Sequence, residues 1–426
     1  DDVFQAAFTP DGKNLAAIRA VGDLFQLEAP LGTVIYRTKA WMSHPRYSPD
    51  GTQIAFLNHP WIGSNGGHVC VVRPGEEPRR LTENIPTMWK LAWRPDGREI
   101  WFTGTGDKRH EGILGVTLDG RLRVVYAAPG YLHIEDIAGN GDALLDMMRS
   151  QMRIETSTRA DGPAAATDLS WLDWSLLRDL SDDGSLVLFD EAGQVAEFGV
   201  FLRTVDGAPA IRLADGVCAS TLSPDGRFVL SRKPGGSDRV HVIPIGVGQA
   251  RTIATGDCSV IDGDWLPDGR GLIVSGRSPE GRHLYYLDLS SGSLRRLHDT
   301  TLKTSMLFVS PDGLRVLARG ADSLVTVFPM DGSDPRSYSE LTMDWKQCGW
   351  QGDSRHFFAY RAGALPAPVV RVDADTGSQE PWMDIMPMVR SGVDSINSVQ
   401  FDRSAERYAC CYISNESHLF HAQGIR

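Results

Sequence analysis

One four-residue pattern, Ser-Pro-Asp-Gly, decides most of what this chain can fold into. In Leu222-Ser223-Pro224-Asp225-Gly226-Arg227-Phe228-Val229-Leu230 it joins the end of one strand to the start of another. Pro224 sets φ at the first turn position, Asp225 folds its carboxylate back onto nearby amides, and Gly226 takes the positive φ that closes such turns. The residues that follow alternate and are apolar, as a half-buried strand requires.

The pattern repeats along the whole chain. Turn aspartates stand at Asp11, Asp50, Asp96, Asp183, Asp225, Asp268 and Asp312, with degenerate copies near Asn140, Asp353 and Asp402. Their separations are 39 residues (11 to 50), 46 (50 to 96), 42 (183 to 225), 43 (225 to 268), 44 (268 to 312) and 41 (312 to 353). The copy near Asn140 divides the gap from Asp96 to Asp183 into two ordinary periods, giving ten units. A period of about 40–45 residues with four strands per unit is the signature of a β-propeller blade. Unit 306–338 reads as four strands around Ser310-Pro311-Asp312-Gly313 and Met330-Asp331-Gly332. Helical periodicity is confined to short patches such as 381–390. The chain is therefore expected to be all-β, a propeller of about ten four-stranded blades. A single large ring over 1–426 is placed first. The alternative is four blades over 1–166 and a six-bladed ring over 167–426, because 151–167 is the most loop-like stretch and Thr167-Asp168-Leu169-Ser170 can close a ring of six.

Composition narrows the partners. Hydrophobic residues make up 42% of the 426, enough for a continuous core between stacked blades. The net charge of −11 argues against nucleic acid and anionic membrane surfaces, which both reward clustered Lys and Arg. No apolar run reaches 18 residues and the chain opens on Asp1-Asp2, so neither a transmembrane helix nor a signal peptide is expected, and no direct membrane insertion. The six cysteines (70, 218, 258, 348, 410 and 411) follow no framework spacing and read as small buried strand residues.

Polar and aromatic residues gather where first strands begin. They are Trp41, His44 and Arg46 in the second unit, Trp89 and Lys90 in the third, and His133 in the fourth. Trp174 and Arg178 follow in the fifth, and Trp345 and Lys346 in the ninth. Loops at that phase face one end of a propeller, so these ten residues are the candidate lining of a funnel mouth where a ligand or peptide stacks. The competing account is that repeats reuse a wedge residue between blades.

Catalytic patterns are absent from the sequence. There is no Gly-x-Ser-x-Gly elbow and no kinase signature. His418 and His421 point to opposite faces of a strand, and Val372-Asp373-Ala374-Asp375-Thr376-Gly377 lacks the glutamate that closes a calcium loop. The repeated turn aspartates are structural, since they recur at every turn. No enzyme activity, metal or cofactor is expected of this chain.

The repeats resemble the TolB-like (WD40-like) propeller family on the turns at 47–51, 93–97 and 222–226, across essentially the whole chain. A narrower resemblance rests on Asp168-Leu169-Ser170-Trp171-Leu172-Asp173-Trp174-Ser175, Asp179-Leu180-Ser181, Leu186, Phe189-Asp190-Glu191 and His418-Leu419-Phe420 with Gly424-Ile425-Arg426. These runs are similar to the propeller that follows the kinase domain and membrane helix of some bacterial serine/threonine kinases. That implies a non-enzymatic, periplasmic or extracytoplasmic sensor that binds a protein or small ligand, with signalling carried by a longer parent. The alternative is the regulatory propeller of a prolyl-oligopeptidase-type hydrolase whose catalytic domain lies elsewhere. A propeller lyase or glycosidase needs convergent His, Tyr or carboxylate groups, and the sequence offers only scattered ones.

Overall fold

The computed structural model describes residues 3–21, 24–60, 64–105, 111–127, 131–192, 198–303 and 306–425. Arg426, the last residue of the C-terminal run above, lies outside them. The Ser-Pro-Asp-Gly turn forms for the reasons the sequence supplies, with one addition. Ser223 Oγ donates to Asp225 Oδ1 at 2.6 Å and accepts the Arg227 and Phe228 amides at 3.1 and 2.9 Å. Gly226 donates its amide to the Ser223 carbonyl at 2.8 Å and sits at φ 65°. The serine hydroxyl thus serves three partners in a turn that already holds its aspartate.

Between the turns run antiparallel strands in hydrogen-bonded sheets, almost all four-stranded. Among the described residues the only helical element is a 3-10 turn at Pro163–Ala165. The 381–390 patch read as helical is corrected: Gln379–Ile385 is the outer strand of the ninth blade, paired with Ala367–Asp373. No helix of the described residues is long and apolar enough to cross a membrane.

The blades fall into two compact units, residues 1–149 with 416–426, and residues 150–415. Four blades make the first unit, with inner strands Val3–Phe8, Trp41–Tyr47, Met88–Trp93 and Tyr131–Ile137 packed in sequence. Six make the second. Its inner strands Ser175–Leu180, Cys218–Leu222, Ser259–Trp265, Phe308–Val309, Trp345–Trp350 and Val393–Phe401 each touch the next, and the last returns to the first. That contact corrects the single ten-blade ring, since closure comes after six. The division falls at 149/150 and not at 166/167, because 151–158 is strand: Ala143–Thr158 and Arg407–Ala422 each run sixteen residues and supply strands to both units. The tenth blade is built from both ends of its unit, in the order Val393–Phe401, 407–415, 150–158, and then Thr167–Asp168 at its edge.

The apolar cores show the same arrangement. Each is a layer between two neighbouring blades. In the second unit there are six, including one of Met152, Ile154, Ala409 and Cys411 against Leu177, Val187 and Phe189 that joins the tenth blade to the fifth. In the first unit there are three, between blades one and two, two and three, and three and four. Each Leu, Val or Phe so buried contributes roughly 1.5–3 kcal/mol. All six cysteines are buried and unbridged.

Candidate functional site

The inner strands share a device invisible in the sequence. Each of most of them carries a β-bulge, an extra residue that breaks the alternation and re-aims a side chain. In the third blade Leu91 pairs with Phe102 and Trp89 with Thr103, leaving Lys90 as the extra residue. Glu135 is the extra residue in the fourth blade and Arg178 in the fifth. The second blade inserts His44 and Pro45 between Ser43 and Arg46. His44 and Lys90 adopt φ of 52° and 38°, a region that costs a non-glycine residue about 1–3 kcal/mol and persists where surrounding contacts impose it.

In the first unit these bulges gather polar groups. Gly66 accepts from His59 Nδ1 at 2.9 Å, so the proton of that ring sits on Nδ1 and its Nε2 accepts from Ser43 Oγ at 2.7 Å. Ser43 Oγ then accepts from His44 Nδ1 at 3.0 Å. The chain of bonds leaves His44 Nε2 with its lone pair. Burial, followed by Arg46, His59, Lys90 and His133, brings His44 down to about 4, so it is neutral at pH 7. The His44 amide donates to Gln5 Oε1, and Lys90 pairs with Glu135. His133 is 5% exposed; its Nδ1 lies 3.8 Å from Asp146 and makes no hydrogen bond. Burial first, then Lys90, lowers its pKa as well.

In the second unit a cavity of about 100 Å³ lies along the ring axis, lined by residues from all six inner strands. Arg178 reaches it and pairs with buried Asp190 at 2.7 Å, whose other oxygen accepts the Ala219 amide of the next blade at 2.8 Å. Asp179 accepts the Leu222 amide and Asp264 the Val309 amide, at 2.8 and 2.7 Å, each clasping the blade that follows. The Thr221 hydroxyl stands between the two carboxylates, 2.8 Å from Asp179 and 3.2 Å from Asp264. One proton cannot serve both at once. Burial pushes Asp179 up to about 7 and Asp264 to about 6. Arg403 and Asp182 pair at 2.8 Å on the lining of the same cavity.

The ten residues singled out by sequence therefore divide. Trp41, His44, Arg46, Trp89, Lys90 and His133 lie in the first unit, and Trp174, Arg178, Trp345 and Lys346 in the second. His44, Lys90 and His133 come together electrostatically, with Arg46 acting on His44. Of the four in the second unit only Arg178 lines the axial cavity. Trp41 stacks on His59 with ring centroids 4.4 Å apart, while Trp174 and Trp345 pack half-buried on the cores beside them. Lys346 donates to the Asn397 carbonyl at 3.1 Å. Trp89 is half-buried and belongs to none of these cores. Sequence reasoning missed Ser43, His59, Glu135, Asp179 and Asp264. Only the positions of Asp179 and Asp264, each one residue before the end of a strand that leads into a turn, gave a signal. Among the described residues no group of three or more His, Cys, Asp or Glu is placed to hold a metal ion.

No protein-family model matches the chain, and no curated protein does. Among solved structures it is similar to TolB from Acinetobacter baumannii, with 14% identity and a TM-score of 0.33 over 75% of this chain and 77% of that one. It is also similar to an oligogalacturonate lyase in complex with manganese, with 15% identity and a TM-score of 0.31 over 91% of this chain and 96% of that one. Likenesses at this level assign no role to any residue.

Proposed function

We propose that this chain is a non-enzymatic binding propeller that receives a protein or small-molecule ligand at the inner strands of its four-blade unit. The observation that carries the reading is that His44, Lys90 and His133 stand on the adjacent inner strands of three successive blades, the first two of them on strained bulges. Strain kept at a cluster of polar side chains is a mark of a working site. The similarity of 168–191 and 418–426 to kinase-attached propellers supports an extracytoplasmic sensor role in a longer signalling protein. Reading the flanking gene sequence for a kinase domain and membrane helix tests that part.

The binding itself is tested by thermal shift of the full chain against peptides, nucleotides and oligosaccharides, oligogalacturonate included. At least one class is expected to raise Tm for the native chain and not for the His44→Ala/Lys90→Met double variant. Equal stabilisation of both proteins overturns the site. Turnover of any member of the panel overturns the non-enzymatic reading.

A further inference from the structure

The six-blade unit carries a second, independent feature at the junction of the chain's sixth and seventh blades. At three junctions consecutive turns nest, proline of one blade against glycine of the next. A Cβ built on Gly51, Gly97 or Gly313 would lie 3.6, 3.9 or 3.0 Å from Pro10, Pro49 or Pro267 respectively. At Gly269, which follows Pro224 in the same order, such a Cβ would meet nothing within 4 Å. The turns have parted there, and a groove of about 570 Å³ opens between them, walled by Pro224, Phe228, Val242, Trp265, Pro267 and Leu289.

An indole points to what the groove lacks. Tryptophans that end inner strands donate to the blade before: Trp93 Nε1 to the Arg46 carbonyl at 3.1 Å, and Trp350 Nε1 to the Phe308 carbonyl at 3.0 Å. Trp265 holds the same place, is 5% exposed, and its Nε1 has no acceptor. A buried donor left unpaired costs about 1–3 kcal/mol, which a carbonyl arriving in the groove would offset.

The first unit shows how such a junction is filled. Between its third and fourth blades a Cβ on Gly141 would likewise meet nothing within 4 Å, and the space beside Pro95, Trp101 and Ile137 is lined by the chain's own Gly424 and Ile425. Ile425 packs on the core of that junction. Ile137 occupies the repeat position that Trp265 holds in the seventh blade. A chain segment that presents an aliphatic side chain is thus the occupant this kind of opening takes.

We propose that the groove between the sixth and seventh blades docks a peptide segment of a partner protein, presenting one aliphatic side chain next to a basic residue. The aliphatic group lies against Pro224 and Phe228, and a peptide carbonyl accepts from Trp265 Nε1. The basic residue meets a rim of three carboxylates, Asp225, Asp268 and Asp288, set against Arg251 and Arg270. Arg251 is already committed to the Leu289 carbonyl at 2.8 Å.

The probe is the fluorescent hexapeptide His-Ala-Gln-Gly-Ile-Arg, the sequence of residues 421–426, titrated by anisotropy into the full chain. A photo-leucine version locates it by cross-linking. Micromolar binding is expected, weakened about tenfold by Trp265→Phe, abolished by Ser290→Trp at the lining of the groove, and lost when Asp replaces the peptide isoleucine, with Tm of each protein variant recorded to show that it folds. Cross-links are expected on 224–228, 265–270 and 288–290. Absent binding, binding indifferent to the two protein substitutions or to the peptide one, or labelling only at 94–101 and 137–142, where the peptide would be displacing Gly424 and Ile425, overturns the proposal.

Discussion

Trp93, Trp265 and Trp350 make a natural experiment in the worth of one hydrogen bond. All three end inner strands and all are buried, but only Trp93 and Trp350 have acceptors. Replacing each by Phe removes the same volume. In the two paired cases it also strands a buried carbonyl, so Trp93→Phe and Trp350→Phe should cost about 1–3 kcal/mol more than Trp265→Phe in chemical denaturation. Equal losses would mean that Trp265 has a partner. Single residues were also where the sequence was hardest to read. His44, Lys90 and Arg178 stood out as polar side chains near strand starts, and the bulges then made them the extra residues of their strands. A bulge leaves no mark in the alternation of neighbouring residues. Glu135 stands 45 residues from Lys90, and Asp264 stands 43 from Thr221. Pairings one blade apart obey no local rule, so a search along the chain passed over them.

The turn is the element that made the fold legible. Ser48, Ser181, Ser223 and Ser310 each donate to the aspartate two residues on, at 2.5–2.6 Å, so the same geometry is written at these four copies. Its glycine is required twice over at some copies and once at others. Gly226 and Gly313 have φ of 65° and 72°, but only Gly313 would press a Cβ against Pro267, at 3.0 Å. Gly226→Ala should therefore cost about 1 kcal/mol, the penalty of a left-handed alanine, and Gly313→Ala measurably more. Thermal unfolding of the two variants decides it, and equal losses would show that the turns slide apart freely. What the turns do not encode is how many blades close a ring. That number follows from the layers between blades, where Met152 and Ile154 meet Leu177 and Phe189. The hydroxyls of Thr156 and Ser157 gave their stretch the composition of a loop. In the structure they bond the Tyr408 and Gly162 carbonyls, and the backbone there is strand.

Over the whole molecule the two units should answer acid in opposite directions. Asp179 and Asp264, near 7 and 6 in the folded second unit against about 3.9 when unfolded, make the native state bind more protons between pH 4 and 7. The contribution of these two carboxyls to that unit is then highest at the acid end of the window and falls as pH rises through it, against the smaller opposite pull of His241 and His283, whose pKa values burial lowers. His44, near 4 when folded against about 6.5 when unfolded, does the reverse, and the first unit loses stability as pH falls from 6.5 toward 4. Amide exchange at pH 5 and 7.5, corrected for intrinsic rates, should show residues 150–415 better protected at pH 5 and 1–149 better protected at pH 7.5. The changes are about a decade for each pKa unit that contributes, and Asp179→Asn should flatten the response of the second unit alone. Parallel behaviour of the two would refute this assignment. The long strands Ala143–Thr158 and Arg407–Ala422 also set a schedule. During synthesis the fifth to ninth blades can stack as each emerges, yet the ring stays open, with residues 150–158 waiting for 407–415. The fourth blade waits longer still, for 416–422. Neither unit is finished until Arg407–Ala422 has emerged, so a nascent chain stalled short of residue 407 exposes two unpaired strand edges, and this is the state a chaperone would meet.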